Sequence, residues 1–422
     1  MKRAIKAGPT QAEIRFLVLA FLAITLVLSA FMAANVYAAR GLAEGGGILL
    51  FWKAVRAGVH LEAGEPYGGG TVHFVQQQVY GRSAQPGENP YIPDLPFPLL
   101  LLYAPLGLFP DPVLARGAYL LLSEIGLLLL AYMSLNLAEW QPHRLFTILF
   151  YAFAALGIYS LLALREGSPV ILMGVFYAGI LLALRLGLDD VAGALLVLSF
   201  SHWEWGAPFV LLVLARVLAQ KRWRVLYSFL LILALLTVIA FFVYPGWVFP
   251  WVVGVFGNWS VDFGITPGEI FQRWQPESGF RLGWGLTAVS LVILAFEWAA
   301  GRAAEFRRFY WTACLTLALT PLLGMRSALE NLALLIPAAA LIFAVARERW
   351  RAGYWLTVSL LLAFLVIPWA LFFGVFLEAS LRRELLFLFM PVVTVIGLYW
   401  IRWWAIRPPR TWTERVTRPE YR

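Results

Sequence analysis

The sequence predicts an all-α polytopic membrane protein with about twelve transmembrane helices, within a range of about 11–13. The chain of 422 residues is 61% hydrophobic and has a mean hydropathy of +0.76, whereas soluble domains are roughly 45–50% apolar. Apolar runs of about 17 to 25 residues, the length that crosses the hydrocarbon core as a helix, recur from one end to the other. A transmembrane β-barrel would alternate apolar and polar residues over about ten positions, and these runs do not.

The first apolar run covers residues 14–36 and is longer than the apolar region of a signal peptide. No small-residue cleavage site follows it, so we expect this run to be retained as the first helix. The apolar runs between charged, proline or glycine flanks predict about twelve spans in all. These spans cover residues 14–36, 113–138, 144–164, 168–185, 190–203, 205–219, 223–244, 283–300, 308–324, 328–346, 353–376 and 384–404.

One further apolar run, residues 97–109, is shorter and is bounded by prolines at Pro96, Pro98 and Pro110. A run of this length with proline boundaries favours a re-entrant segment, residues 97–110, over a crossing helix. Without that crossing, the clusters of lysine and arginine between the spans all fall on one side, as the positive-inside rule requires. We therefore predict a multi-pass plasma-membrane protein with both termini, including the tail 405–422, in the cytoplasm.

Two long loops, residues 37–96 and 245–281, then lie on the outer face, while most other connections are short. Residues 48–61 of the first loop have an amphipathic pattern that fits a helix lying in the membrane interface. No internal repeat or low-complexity linker interrupts the chain, so residues 1–422 are predicted to form a single transmembrane domain. We expect function to concentrate in the two long loops.

Several classes of function are disfavoured by the sequence. The net charge of +9 comes from short basic clusters between apolar runs, which orient membrane proteins, so no nucleic-acid partner is expected. The single cysteine, Cys314, excludes an internal disulfide and a CxxC motif. The four histidines have no metal-ligand spacing, and no P-loop or GxGxxG is present, so neither a metal nor another cofactor is expected. Glu124 is the one acid deep in a span, which disfavours an ion-coupled transporter.

Acidic residues of the outer loops are candidates for a general base toward a sugar hydroxyl, although carboxylates also simply keep loops in water. Asp94 is the first candidate because the sequence Pro93-Asp94-Leu95-Pro96 gives its backbone little freedom. Glu44, in the same loop, is the second candidate. We predict that one of these two residues is catalytic.

Cations and aromatic residues near the outer helix ends are candidates for substrate binding. Arg116 can clamp a lipid-linked phosphate, or snorkel to the interface for purely structural reasons. Trp259 and Trp274 can stack on a sugar ring, or belong to the aromatic belt. The remaining candidates of this kind are Arg165, His202, Glu204 and Arg326.

Four short motifs follow one another along the chain. They are Phe51-Trp52-Lys53-Ala54 with Gly64-Glu65-Pro66-Tyr67, then Pro90-Tyr91 through Pro110, then Arg165-Glu166-Gly167-Ser168-Pro169, and finally Ser327-Ala328-Leu329-Glu330-Asn331 to Pro337. Their order resembles glycosyltransferase family 87, the polyprenyl-phosphate-sugar-dependent mannosyltransferase-like proteins of the GT-C superfamily. The resemblance spans residues 14–350 and adds Glu65, Tyr67 and Tyr91 to the substrate-binding candidates.

The resemblance implies a GT-C-like fold and an inverting transfer at the outer membrane face. The implied donor is a polyprenyl-phosphate-linked sugar, a mannose-like hexose or a pentose, and the implied partners are a glycan or lipid acceptor and membrane lipids. The sequence departs from the family where an Asp-Phe pair is usual, because that place reads Gly47-Ile48. Two alternatives therefore stay open: an inactive lipid-binding or accessory member, and a transporter or flippase.

Overall fold

The structure is a computed structural model that describes residues 11–41, 45–260, 264–374 and 377–407, without the side chains of residues 12–14, 201–204 and 259–260. Most of the described chain is helical, and the one bridge between extended residues in the described part pairs Ile265 with Ser327. Long apolar helices dominate, which confirms an all-α, membrane-embedded protein.

The first half of the chain contains a long helix, a loop with two helices, a short broken helical segment and six further helices. In order they are α1 (Gln11–Gly41), α2 (Gly46–Gly58), α3 (Gly69–Tyr80), α4 (Phe97–Leu100), α5 (Ala104–Gly107), α6 (Pro112–Leu137), α7 (Arg144–Leu156), α8 (Ile158–Glu166), α9 (Val170–Leu186), α10 (Asp189–Leu198) and α11 (Trp203–Ala219). A 3-10 turn, Leu101–Tyr103, joins α4 to α5, and another, Ser199–His202, joins α10 to α11.

The second half contains two helices in the second long loop and six further apolar helices. In order they are α12 (Trp223–Val243), α13 (Val248–Ser260), α14 (Pro267–Trp274), α15 (Gly279–Gly301), α16 (Phe306–Leu319), α17 (Ile336–Arg349), α18 (Gly353–Phe373) and α19 (Ala379–Ala405). The 3-10 turns Thr320–Leu322 and Leu329–Leu335 lie between α16 and α17.

The described residues contain seven helices long and apolar enough to cross a membrane, and an eighth if α7 and α8, bent by 42°, form one span. Four shorter apolar helices accompany them: Phe97–Gly107, Val170–Leu186, Trp205–Ala219 and Val248–Asn258. Each predicted span overlaps at least one helix, but several of those helices are shorter than a full crossing requires. The number of twelve spans therefore stays a prediction.

The centre of the bundle is α17, which packs against α6, α16, α18 and α19. Its consecutive small residues Ala338, Ala339 and Ala340 are fully buried, and small side chains allow helices to approach closely in a membrane. By contrast α1 packs on α6 and leaves most of its apolar side chains exposed. Asn35 of α1 donates a hydrogen bond to Glu124 of α6 at 2.9 Å, so the acid within this span has a partner on a neighbouring helix.

The amphipathic stretch predicted at residues 48–61 is the helix α2, but it is buried on nearly all sides rather than on one face. The α4–α5 segment and α3 cover it, because the first loop folds back over the end of the bundle. Trp52 Nε1 donates to the Phe109 carbonyl at 3.0 Å, and Arg56 donates to the Gly107 carbonyl at 2.9 Å. The segment predicted to be re-entrant is thereby fixed beneath α2.

Candidate functional site

A polar cavity of about 180 Å³ lies where the first long loop, the second long loop and two turns of the bundle meet. Its wall contains the start of α2, residues 89–94 of the first loop, and the turn between α8 and α9. Asn258 of α13, Gly264 and residues 326–331 complete it. The cavity is therefore assembled from segments that are far apart in the sequence.

Three of the predicted site residues, Asp94, Tyr91 and Arg326, line this cavity together. Two carboxyl groups that were not assigned to the site, Glu166 and Glu330, line it with them. Both lie inside the third and fourth of the short motifs identified in the sequence, so a signal that pointed to them was present. The structure thus groups three acids and one cation around one space.

Asp94 is placed by hydrogen bonds to the backbone on both sides of it. Trp251 Nε1 donates to the Asp94 carbonyl at 2.7 Å, and Asn258 Nδ2 donates to the Ile92 carbonyl at 3.0 Å. The Tyr67 hydroxyl donates to the Leu95 carbonyl at 2.8 Å. Burial raises the pKa of Tyr67 far above its usual range, and the nearby charge of Asp94 adds to this effect, so the hydroxyl stays a donor. Tyr67 supports the loop and does not line the cavity.

Tyr91 connects the first loop to the turn after α8. Its hydroxyl donates to Glu166 Oε1 at 2.9 Å, and its backbone N–H donates to Asn89 Oδ1 at 2.9 Å. Burial raises the pKa of Tyr91 far above its usual range, and the charge of Glu166 raises it further, so Tyr91 remains protonated. Its φ of 51° lies in the left-handed region, an uncommon backbone conformation for a non-glycine residue. The ring packs on Gly46, where a side chain would overlap it.

The turn between α8 and α9 is held by two donors from α6. Tyr119 donates to the Ser168 carbonyl at 2.9 Å, and Arg116 Nη2 donates to the Arg165 carbonyl at 3.1 Å. Arg116 is only 5% exposed and its guanidinium lies against Gly45, at the start of α2. The predicted phosphate ligand Arg116 therefore stands behind the cavity wall, next to a helix N-terminus, and not on the wall itself.

Arg326 is fixed by the pairing of two loops. The Ile265 N–H donates to the Ser327 carbonyl at 2.8 Å, and the Ser327 N–H donates back to the Ile265 carbonyl at 3.1 Å. Gly264 has a φ of 108°, a conformation that favours glycine, and its backbone lies close to the Arg326 side chain. This bridge joins the second long loop to the segment before α17 and closes one side of the cavity.

Three other predicted substrate-binding residues lie away from the cavity wall. Glu65 is exposed in the turn before α3, and Arg165 is exposed at the end of α8. Trp274 Nε1 donates to Glu384 Oε2 at 2.6 Å, and Arg273 donates to the other oxygen of the same carboxylate at 2.9 Å. Trp274 therefore anchors α14 to α19, which sequence patterns did not indicate.

The remaining predicted residues cannot be placed relative to the cavity. Glu44 lies outside the described residues. The side chains of His202, Glu204 and Trp259 also lie outside the described part of the structure. Within the described part, no three histidine, cysteine, aspartate or glutamate residues come together as metal ligands.

The cavity is suited to binding a small polyol and to removing a proton from it. Its volume is below the roughly 300–1,000 Å³ of pockets for drug-sized ligands, so it is of the size of a single sugar ring. Asparagine and serine side chains on the wall can donate and accept hydrogen bonds with hydroxyl groups. A carboxylate within reach of such a hydroxyl can act as general base.

A second space, a groove of about 780 Å³, runs between α1 and α6 and is mostly apolar. Among the described residues its lining contains no carboxylate and no histidine, and its one cation, Arg40, lies near the end of α1. The polar cavity, which groups carboxylates with a cation, is therefore the stronger candidate for the functional site.

Comparison with known proteins assigns no family: no family model matches the chain, and no curated protein is significantly similar to it in sequence. A function for this chain therefore has to be argued from the residues of the cavity and from the membrane-embedded fold around them.

Proposed function

We propose that the protein is a GT-C-type membrane glycosyltransferase that moves a sugar from a polyprenyl-phosphate donor to an acceptor hydroxyl at the outer membrane face. The observation that carries this proposal is the presence of Asp94 and Arg326 on one sugar-sized cavity, beside the apolar α4–α5 segment. The order of the four sequence motifs supports the same assignment, since all four contribute residues to the cavity wall.

Asp94 is the general base in this proposal. Its carboxylate takes the proton of the acceptor hydroxyl, and the hydroxyl oxygen forms a bond to the anomeric carbon of the donor sugar. The bond between that carbon and the phosphate oxygen breaks, and the electron pair leaves with the polyprenyl phosphate. Attack from the face opposite the leaving group inverts the anomeric configuration. The donor carries its own leaving group, so the reaction requires no nucleotide.

Positive charge for the donor phosphate is available on two sides of the cavity. Arg326 lines the wall and can contact a phosphate oxygen directly. Arg116 lies against Gly45 at the start of α2, where the helix dipole adds to its positive potential. In this proposal Arg326 binds the phosphate, and Arg116 with the α2 N-terminus makes the adjoining region favourable for an anion.

The polyprenyl chain needs an apolar surface close to the cavity. In this proposal the α4–α5 segment supplies it, because the segment packs along α2, whose first turns line the cavity. Leu101 and Leu102 are only partly buried, and Leu108, next to the later turns of α2, is 75% exposed. The prolines around this segment and its hydrogen bonds to α2 hold it in place. We place the first isoprene units of the donor along this surface.

The test of the proposed function is transfer by purified full-length protein in lipid nanodiscs, with a polyprenyl-phosphate hexose labelled in the sugar. Asp94→Asn is expected to lower the rate by about a hundredfold or more, as loss of a general base does. Asp190→Asn, which removes an exposed carboxylate paired with Arg224, is the matched control and should retain the rate. Transfer that survives in both Asp94→Asn and Glu44→Gln would refute the assignment of the base.

A second candidate function, binding of a polyprenyl-phosphate sugar without turnover, is favoured by one observation at Gly47. This residue stands where the related family has its acid, and it lines the cavity. A side chain there would begin 3.1 Å from the Gly167 carbonyl, so the turn after α8 occupies the space that the family acid would use. Donor binding by the wild-type protein with no transfer to any acceptor would support this second function.

A further inference from the structure

The helix α13, in the second long loop, exposes apolar side chains on one face. Phe249 is 77% exposed, and Val253, one turn further along the helix, is 54% exposed. The sequence of α13 contains no charged residue. A loop helix in water carries polar and charged side chains on its outer face, so this face of α13 does not have the character of a water-exposed surface.

The opposite face of α13 holds the cavity wall. Trp251 and Asn258 donate the hydrogen bonds described above to the Asp94 and Ile92 carbonyls. Gly254 lies on the same face, where an added carbon would lie 2.4 Å from a carbonyl oxygen of this loop segment. An α-helix turns about 100° per residue, which places the centre of this face about 170° from the centre of the exposed one. The helix therefore has the first loop on one side and its exposed apolar residues on the other.

The position of α13 along the first loop shows that it does not cross the bilayer. Its 13 residues are about 20 Å long, less than the roughly 30 Å of the hydrocarbon core. Tyr244, just before α13, packs on Phe97 with ring centroids 5.5 Å apart, and Asn258, near its end, reaches Ile92. Both ends of the helix thus lie beside the same stretch of the first loop.

The exposed face of α13 adjoins the end of a long apolar helix. The helix before it, α12, is long and apolar enough to cross a membrane, and Phe242 in its last turn is exposed. Residues 244–247 are the only link between α12 and α13. Pro245 in this link has no N–H with which to continue the hydrogen bonds of α12. The lipid around the end of α12 is therefore next to Phe249.

We propose that α13 is an interfacial helix that inserts Phe249 and Val253 into the phospholipid layer, at the boundary between headgroups and acyl chains. This lipid contact holds residues 92–94 in place on the cavity wall, because the opposite face of the same helix is bonded to them. The partner of this surface is the lipid layer itself. Only the effect on Asp94 as a general base rests on the proposed glycosyl transfer.

The lipid contact is tested by electron paramagnetic resonance with a nitroxide on Phe249→Cys, in full-length protein in phosphatidylcholine nanodiscs. Oxygen concentrates among the acyl chains and a nickel chelate stays in water, so the ratio of their collision rates reports what surrounds the label. Val292→Cys, at an exposed position of the long apolar helix α15, is the lipid reference. Ser83→Cys, exposed in the loop after α3, is the water reference. The native Cys314 is buried, and labelled wild-type protein gives its background.

Three outcomes of this measurement are distinct. We expect the oxygen-to-nickel ratio at position 249 to exceed the ratio at position 83 by about fivefold or more. A ratio equal to that at position 83 would show that α13 lies in water. Few collisions with either reagent would show that a protein surface, such as a second copy of the chain, covers this face. Either of the last two results overturns the proposal.

The effect of the lipid contact on the cavity wall is tested by hydrogen–deuterium exchange of the peptide 90–96 in the same nanodiscs. Phe249→Ser removes an apolar side chain that does not line the cavity. It should raise the exchange rate of this peptide by about threefold or more, because α13 no longer holds the segment firmly. Val292→Ser is the matched control on α15 and should leave the rate unchanged. If Phe249→Ser does not fold, Val253→Ser takes its place. An unchanged rate in the α13 variant, or an equal rise in the control, overturns the proposal.

A transfer experiment separates this inference from the proposed function. With the labelled polyprenyl-phosphate hexose, Phe249→Ser should lower the transfer rate by about threefold or more, and Val292→Ser should not. No transfer by the wild-type protein counts against glycosyl transfer, while the resonance and exchange measurements still decide the lipid contact. Full transfer by Phe249→Ser supports glycosyl transfer and overturns the link between the lipid contact and Asp94.

Discussion

Replacing Gly46 by alanine places a methyl group where the Tyr91 ring stands. The added carbon would lie 2.1 Å from Tyr91 Cζ and 2.6 Å from the hydroxyl oxygen. The ring is 5% exposed and is fixed by its bond to Glu166, so it can make room only by breaking that bond. Gly46→Ala should therefore change the cavity wall indirectly, by displacing the Tyr91 ring.

The cost follows from these contacts. Loss of a hydrogen bond to a charged group costs about 1.5–3 kcal/mol, and overpacking a filled site adds about 1–3 kcal/mol. The higher helix propensity of alanine over glycine offsets at most about 1 kcal/mol of this loss. We expect Gly46→Ala to lower the free energy of unfolding by about 2–5 kcal/mol.

The assay is denaturant unfolding in mixed micelles, followed by circular dichroism, with Gly70→Ala as the matched control. Gly70 lies in the first turn of α3 and a carbon added there meets nothing within 4 Å. In a double-mutant cycle with Tyr91→Ala, the cost of Gly46→Ala should largely disappear, because the ring that it displaces is gone. Equal stabilities of Gly46→Ala and Gly70→Ala, or an unchanged cost in the Tyr91→Ala background, would refute this reasoning.

Three further predictions concern other parts of the molecule. A carbon added at Gly193 of α10 would lie 2.3 Å from the Val225 carbonyl oxygen of α12. Gly193→Ala should therefore destabilise the protein by about 2 kcal/mol or more in the same unfolding assay. Gly285→Ala is the control and should not destabilise it, because a carbon added there meets nothing within 4 Å. The two hydrogen bonds from Arg82 lower the pKa of Glu88 to about 2. Any stability that this exposed pair contributes is present at neutral pH and is lost as the pH falls from the ordinary pKa of a glutamate through about 2. Arg82→Met should raise the Glu88 pKa in an NMR titration. Asn35→Leu should weaken the contact between α1 and α6 by about 0.6–2 kcal/mol, measured by unfolding, because it removes the partner of Glu124.

Hydropathy alone predicted most of the bundle, because lipid-facing and buried positions are both apolar and helix length is set by the membrane. The span predicted at residues 223–244 corresponds to the helix Trp223–Val243, and the span predicted at residues 353–376 corresponds to the helix Gly353–Phe373. The loop helices were harder to predict, since they are short and partly polar. A signal for α14 was nevertheless present: Thr266 caps the helix by accepting from the Glu269 N–H at 3.2 Å, and Thr-x-x-Glu is a known helix-start pattern.

The site was only partly predictable for a different reason. Asp94 could be proposed from its proline neighbours, because local backbone restraint is a property of a few adjacent residues. The grouping of Asp94 with Glu166 and Glu330 depends on how the first loop, the end of α8 and the 3-10 turn before α17 are arranged, and a single sequence does not specify contacts between such distant segments. The hydrogen bond from Trp274 to the buried Glu384 was likewise not predictable, because it joins a loop helix to α19, more than a hundred residues later in the chain.

Gly47 determines how closely the first turn of α2 approaches the turn between α8 and α9. A side chain at this position would begin 3.1 Å from the Gly167 carbonyl oxygen and 3.3 Å from the Glu166 carbonyl oxygen, so the turn would have to move. An aspartate there would also add a carboxylate to a cavity wall that already contains Glu166 and Asp94, and like charges close together are unfavourable. Gly47→Asp should therefore disturb the cavity rather than improve it.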